Sequence, residues 1–205
     1  MTSLKPLPRR FYEPSAKVVA PALLGHWLIR RTANGLCGGP IVETEAYLAG
    51  DPACHGAPGP TERNRVMFGE PGHGYVYLIY GNYYCMNTVC RPPGVAEAVL
   101  IRAVEVVLGE EWMRRRRPVE PARELTNGPG KLCQAMDIDR DLDGVDLCDV
   151  CSPLFIARNP ALRTFRRQRG PVVITARIGL TKAADLPLRF YLEGSVFVSQ
   201  RKRLI

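Results

Sequence analysis

Residues 75–84 read YVYLIYGNYY, and this run decides the fold. Two alternating stretches flank Gly81-Asn82, which is the pattern of a β-hairpin with a tight connection. Five of the chain's eight tyrosines lie in it: Tyr75, Tyr77, Tyr80, Tyr83 and Tyr84. A buried strand ordinarily uses Val, Ile and Leu, which carry no hydroxyl in need of a partner. Alternation sets Tyr75, Tyr77 and Ile79 on one face and Val76 and Leu78 on the other. Stiff rings with a hydroxyl suit stacking on nucleic-acid bases, worth roughly 1–3 kcal/mol per base. They also suit a packed sheet face with a polar rim.

Outward from the hairpin, GGPIVETEAY (38–47) is a turn followed by a strand. Val42, Thr44 and Ala46 face one way, and Glu43, Glu45 and Tyr47 the other. AEAVLIRAVEV (96–106) is a further strand, and PVVITARIGL (171–180) and RFYLEGSVFVS (189–199) are strand-like. Ser15 is placed to cap a helix that runs into a strand near Leu28, and helices are predicted over 107–117 and 130–137. Between strands, residues 49–74 are too rich in glycine and proline for regular structure and read as a long loop. Neither an internal repeat nor a linker composition interrupts the 205 residues. The expectation is one α+β domain over 1–205, a mainly antiparallel curved sheet with flanking helices and a protruding hairpin.

The formal net charge is +8, concentrated in RRRR (114–117) and RTFRRQRG (163–170). A basic excess of this kind favours a polyanionic partner, because each neutralised phosphate releases a counterion. Charge runs are also solvated faces, and the run at 114–117 reads as a solvated helix end. With no run of eighteen apolar residues and no signal-like start, a soluble protein inside the cell, without a membrane partner, is expected. Seven cysteines are then read as free thiols. CDVC (148–151) has no second pair at zinc-finger spacing, so no metal is expected.

Paired carboxylates and a tyrosine on one face of VETEAY suit glycosidic chemistry, in which a base activates water against an oxocarbenium-like transition state. A solvated strand edge gives the same alternation, and spacing alone does not choose between Glu43 and Glu45. His26 sits in an apolar stretch and reads as a packed core residue. His55, in DPACHGAPG, is a candidate polar contact. GPGK (128–131) is no phosphate loop, since Leu125 and Leu132 stand where glycine and Ser or Thr are required. Backbone amides at a helix start, with Lys131, could still hold one DNA phosphate.

IVETEAY, DPACHG, TERNRVMFGEPGHGYVYLIYGNYYCMN, AVLIRA, LTNGPGKLCQA and PLRFYLEGSVFVS occur in the order seen in alkyladenine (3-methyladenine) DNA glycosylases of mammalian and bacterial type. The chain resembles that family from about Leu23 to about Ser199. The resemblance implies a compact mixed α/β fold and a monofunctional enzyme without metal or organic cofactor. It implies that damaged purines are flipped from double-stranded DNA and their N-glycosidic bond hydrolysed.

Carried over by position, Glu45 is the catalytic carboxylate that activates water, and Glu43 supports it. Arg102 helps hold that water, together with the backbone carbonyl of Ile178. Tyr47, His55 and Tyr77 sandwich the flipped base, Asn87 excludes the 2-amino group of guanine, and Tyr80 wedges into the gap left in the duplex. Thr61, Met67 and Lys131 match positions near DNA. If Tyr77 and Asn87 share a pocket, the hairpin loop must hold three residues, Tyr80-Gly81-Asn82, rather than two. No lysine stands in the pocket stretches, so no Schiff base and no strand cleavage are expected. The loop from His55 to Thr61 is one residue shorter than in mammalian members, and their long basic N-terminal extension is absent, which favours a bacterial origin in the cytoplasm or nucleoid. Family and size imply a monomer.

Two rivals remain at the level of sequence. A non-catalytic lesion-binding protein would keep the tyrosines and arginines but could dispense with Glu45 and Arg102. A glycoside hydrolase acting on sugars would leave the basic charge and Tyr80 without a purpose.

Overall fold

The computed structural model describes residues 4–199. In chain order the elements are α1 (Ala16–Leu23), β1 (Trp27–Thr32), β2 (Gly35–Tyr47), β3 (Gly74–Ile79), β4 (Tyr83–Cys90) and β5 (Glu97–Val104). There follow α2 (Glu110–Arg116), α3 (Arg123–Thr126), α4 (Pro129–Met136), β6 (Leu154–Ala157), α5 (Leu162–Arg169), β7 (Val172–Thr175) and β8 (Arg189–Leu192). The strands form one antiparallel sheet in the order β3-β4-β5-β2-β1-β6, with β8 beside the far half of β2 and β7 beyond it. No helix among the described residues is long and apolar enough to cross a membrane.

β2 holds the sheet together. Its first half pairs with β1 and its second with β5 and β8. The register with β5 slips on either side of Glu43, a bulge that bends the strand. Glycine is required where β2 passes its neighbours. A Cβ at Gly38 would lie 2.0 Å from the Leu28 carbonyl oxygen, and one at Gly39 would lie 1.9 Å from that of Glu105. One face of the sheet carries Val42, Ala46, Val76, Met86, Val99 and Ile101 into an apolar core that α1 closes with Val19, Ala20 and Leu23. Thr44 belongs to that face and donates to the Ala20 carbonyl at 3.0 Å.

The hairpin has the three-residue loop that a shared face requires. Ile79 is the last residue paired, with Tyr83, leaving Tyr80-Gly81-Asn82 as the connection. Tyr80 (φ 53°) and Gly81 (φ 78°) both take the left-handed conformation that such loops need. Tyr75 therefore pairs with Asn87 and Tyr77 with Cys85. Asn87 pairs with Leu100, Leu100 with Glu45, and Glu45 with Arg189, so one row of side chains crosses five strands on the face opposite the core.

Several boundaries differ from expectation. Ser15 stands at the N-cap of α1, but its hydroxyl donates to Glu97, and that carboxylate takes the Ala16 N–H, both at 2.8 Å. The helix expected from 107 begins at Glu110, because Val107 and Leu108 give their N–H groups to the Gly38 carbonyl. The strand expected over 171–180 stops at Thr175. β6 and α5 were not anticipated. The arginine runs are largely spoken for. Arg114 bonds Glu110 and Arg116 bonds Asp137, so 114–117 is more than a solvated helix end. In α5, Arg166 donates to the carbonyls of Pro21, Ala22 and Leu24, and Arg169 pairs with Glu105.

Candidate active site

The first three members of the row, Tyr75, Asn87 and Leu100, lie in the wall of a cavity of about 840 Å³. Tyr47, Tyr75, Tyr77, Asn87, Leu100 and Arg102 come from the strands, and His55 and Met67 from the long loop. Ile178–Leu180 and Asn127–Lys131 complete the wall. Each sheet residue faces the cavity because pairing partners share a face, so the register itself assembles the site.

Glu43 and Glu45 are both wholly buried, which excludes the solvated strand edge. Burying two carboxylates is tolerable only with partners, and these are provided in full. Glu43 accepts from Arg102 Nε (2.9 Å), Arg189 Nε (2.7 Å), and the Ser199 N–H (2.7 Å) and hydroxyl (2.9 Å). That saturates it. Glu45 lies immediately behind the cavity wall. Its Oε1 accepts from the Ile178 N–H at 2.8 Å and pairs with Arg102 at 3.1 Å. Among the described residues its Oε2 accepts only the Tyr47 hydroxyl, at 2.9 Å, which leaves it room for a second donor such as a water. The bare alternation of VETEAY does not choose between the two glutamates; among the described residues Glu43 takes four donors and Glu45 three. Arg102 bridges them, and although burial opposes its charge, the carboxylates of Glu45 and Glu43 outweigh that and raise its pKa. The stretch after β7 leaves the sheet because the Ile178 amide is drawn to Glu45 instead of a strand partner.

Across the cavity, the His55 ring lies 4.4 Å from that of Tyr77, centroid to centroid, and His55 Nδ1 is 3.0 Å from the Tyr75 hydroxyl. Burial and the nearby Arg63 lower the His55 pKa, so the ring is neutral near pH 7. Asn87 is buried and donates from Nδ2 to the Tyr75 carbonyl at 3.1 Å, which fixes its amide in the cavity wall. Burial first, and Glu45 second, push the Tyr47 hydroxyl far up; burial does the same to Tyr77. Both stay protonated.

Tyr80 stands at the hairpin tip with 83% of its surface exposed, at the rim of the cavity. Thr61 is exposed on the long loop and outside the cavity wall, its N–H donating to Asn64 Oδ1 at 2.6 Å. Met67 is 2% exposed among Cys54, Tyr75 and Val89, so it faces the cavity and not an outer surface. Lys131 does line the cavity, correcting the expectation that no lysine would. The start of α4 packs against Tyr83 of the hairpin and brings it there. Its Nζ is committed to Glu124 (2.7 Å) and Asn127 (2.9 Å).

Sequence reading missed three supports. Tyr75 holds the His55 ring. Asn64, only 3% exposed, donates to the carbonyls of His55 and Gly59 and so fixes the loop. Arg177 packs behind Tyr47, its guanidinium carbon 4.6 Å from the ring centroid. For Tyr75, membership of the Tyr77 face was the available signal; the other two had none.

A family model described as methylpurine-DNA glycosylase matches residues 10–196. Three relatives bear the name "Putative 3-methyladenine DNA glycosylase". One from Methanoculleus marisnigri is 51% identical, covering 95% of this chain and 99% of its own length. One from Koribacter versatilis is 44% identical over 100% and 98%. One from Rhodopseudomonas palustris is 48% identical over 95% and 90%. A match of this extent, over a buried carboxylate–arginine pair beside an aromatic cavity, leaves no doubt of kinship: the chain belongs to the methylpurine-DNA glycosylase family.

Proposed function

We propose that the protein excises alkylated purines, 3-methyladenine among them, from double-stranded DNA by hydrolysing the N-glycosidic bond, without cutting the strand. The observation that carries this reading is Glu45. It is a wholly buried carboxylate held by the Ile178 amide, Arg102 and the Tyr47 hydroxyl, all three of which line an aromatic cavity, and among the described residues its Oε2 has no donor besides Tyr47.

In this account the damaged base leaves the duplex at a cost of a few kcal/mol, lowest where alkylation has weakened pairing or stacking. Tyr80, exposed on its left-handed turn, enters the space left behind and offsets part of that cost. The base lies between Tyr47 on one side and His55 and Tyr77 on the other. A purine methylated on a ring nitrogen, such as 3-methyladenine, is cationic in the nucleotide, and electron-rich ring faces favour it by about 0.5–2 kcal/mol each. Asn87 narrows the cavity against the 2-amino group of guanine. Glu45 takes a proton from the water that attacks C1′, while Arg102 and the Ile178 backbone keep carboxylate and water in place. The cationic base departs as a neutral leaving group, so no general acid is needed. Deaminated or other neutral purines lack that advantage and are expected to react more slowly. Lys131, tied to Glu124 and Asn127, is not a free amine that could form a Schiff base.

Incubation with a duplex carrying one 7-methylguanine tests the scheme. The expected products are free 7-methylguanine and an unbroken abasic strand that alkali then cleaves. A protein–DNA adduct trapped by borohydride would contradict the hydrolytic route, and tight lesion binding with no base released would make the protein a non-catalytic lesion binder.

A further inference from the structure

Tyr47 presents one ring face to the cavity, and a charged pair lies behind the other. Arg177 is entirely enclosed, and Asp51, its partner, is 3% exposed on the side chain. Neither residue contributes to the cavity wall. Arg177 also donates to the carbonyls of Ala46 (3.0 Å) and Ala183 (3.3 Å). Its Nε is buried without a hydrogen-bonding partner among the described residues, which a guanidinium tolerates when it is stacked on an aromatic face. The Asp51 carboxylate in turn caps its own loop by accepting the Ala53 N–H at 2.9 Å, on the segment that carries His55.

A hydrophobic backing would have held the ring equally well, so the presence of a buried ion pair calls for a reason. A cation behind an aromatic ring opposes a second cation on its front face, and a carboxylate beside the first cancels that opposition. We propose that the Arg177–Asp51 pair is a specificity device: it balances the charge behind Tyr47 so that a positively charged purine can stack on the ring's exposed face. This rests on the reading that Tyr47 stacks on the flipped base. Arg177 and Asp51 are positioning residues in this scheme, since neither touches the substrate. The remaining charges near the ring, Glu45 and Arg102, oppose one another at its hydroxyl end and are unchanged by the test.

The effect is one of charge and acts on the bound, still cationic base. The guanidinium lies 4.6 Å from the ring centroid. A base stacked about 3.5 Å in front is then roughly 8 Å from it, and at an effective dielectric of about 20 Coulomb's law gives about a thirtyfold change in relative affinity.

Dissociation constants are measured for duplexes carrying 7-methylguanine or hypoxanthine, each on a 2′-fluorinated sugar that resists hydrolysis. Asp51→Asn, which leaves the arginine unbalanced, is expected to lower the preference for 7-methylguanine over hypoxanthine by ten- to thirtyfold. Arg177→Met, which leaves the carboxylate, is expected to raise it. The double variant is expected to return it to within about threefold of native, because no charge remains unpaired. Each single variant decides the matter alone should the other fail to fold, because their shifts have opposite signs. Equal weakening of both lesions in every variant that folds would overturn the inference and leave the pair a structural clamp. Tyr47→Leu separates the two readings. If it abolishes preference for lesion DNA while the charge variants act equally on both lesions, only the inference fails. If it leaves that preference intact, stacking on Tyr47 fails as well, and the inference with it.

Discussion

Glu43→Gln replaces a side chain of the same shape and removes one charge from a cluster that solvent does not reach. Glu43 is wholly buried, and the arginines it pairs with, Arg102 and Arg189, have side chains only 7% and 4% exposed. It receives four donors, and an amide can accept at only one of its two ends. The other end would turn an N–H₂ toward a donor. Removing one partner of a buried ion pair costs about 3–5 kcal/mol, mostly from the charge left uncompensated. With a urea m-value of about 2 kcal/mol/M, the unfolding midpoint should fall by roughly 1.5–2.5 M. Ser199→Ala, which deletes only the hydroxyl donor, should cost about 1–2 kcal/mol, a shift of roughly 0.5–1 M. The assay is urea denaturation followed by tryptophan fluorescence at pH 7. A midpoint shift below about 0.5 M for Glu43→Gln would refute the claim that this cluster is an electrostatic scaffold for Arg102.

Other outcomes follow from the same geometry. Tyr75→Phe removes the hydroxyl that orients His55 and should slow base release about tenfold, the equivalent of one neutral hydrogen bond, with a stability change of about 1 kcal/mol or less by denaturation. Tyr80→Gly relieves a left-handed non-glycine residue and should leave stability unchanged or raise it by up to about 1 kcal/mol, while lesion excision falls at least tenfold in single-turnover assays. His26 has its pKa lowered to about 4 by burial, then by Arg166 and Arg158, so the folded state favours the neutral ring. The stability it contributes is complete above pH 6.5 and is lost as pH falls toward 4, by about 3 kcal/mol in all. Unfolding midpoints measured between pH 7 and pH 4.5 should therefore fall more steeply in the native protein than in His26→Asn.

The hairpin was legible in sequence because period-two alternation is a local property, whereas the length of its connection rested on the resemblance, which implied that Tyr77 and Asn87 line one pocket. Once Tyr77 and Asn87 were required to share a face, the loop had to be Tyr80-Gly81-Asn82. Burial of Glu43 and Glu45 was not legible. Alternation on a strand is the same whether the polar face meets water or buried arginines, and Arg189 and Ser199 lie more than 140 residues away in the chain. β6 escaped notice because LFIA is only four apolar residues, too short to separate from a buried helix segment. The arginine runs were legible only in part: Arg114–Arg116 do end α2, with Arg115 and Arg116 exposed. Sequence gives the charges but not their acceptors, and Arg166 is spent on three carbonyls at the end of α1. Ser15 was placed correctly, whereas the carboxylate that caps the helix comes from Glu97, a contact no local window contains.

The most direct test of the account is single-turnover release of 7-methylguanine from duplex DNA by the native protein and by Glu45→Gln, with lesion binding measured in parallel. Glu45→Gln keeps the shape and an acceptor for the Ile178 amide but cannot take a proton from water. The account predicts that the native protein releases the base, that release by the variant falls by at least a thousandfold, a loss of about 4 kcal/mol in transition-state stabilisation, and that affinity for lesion DNA stays within about tenfold of native. Release by the variant at a rate near native would contradict it and remove Glu45 from the chemistry.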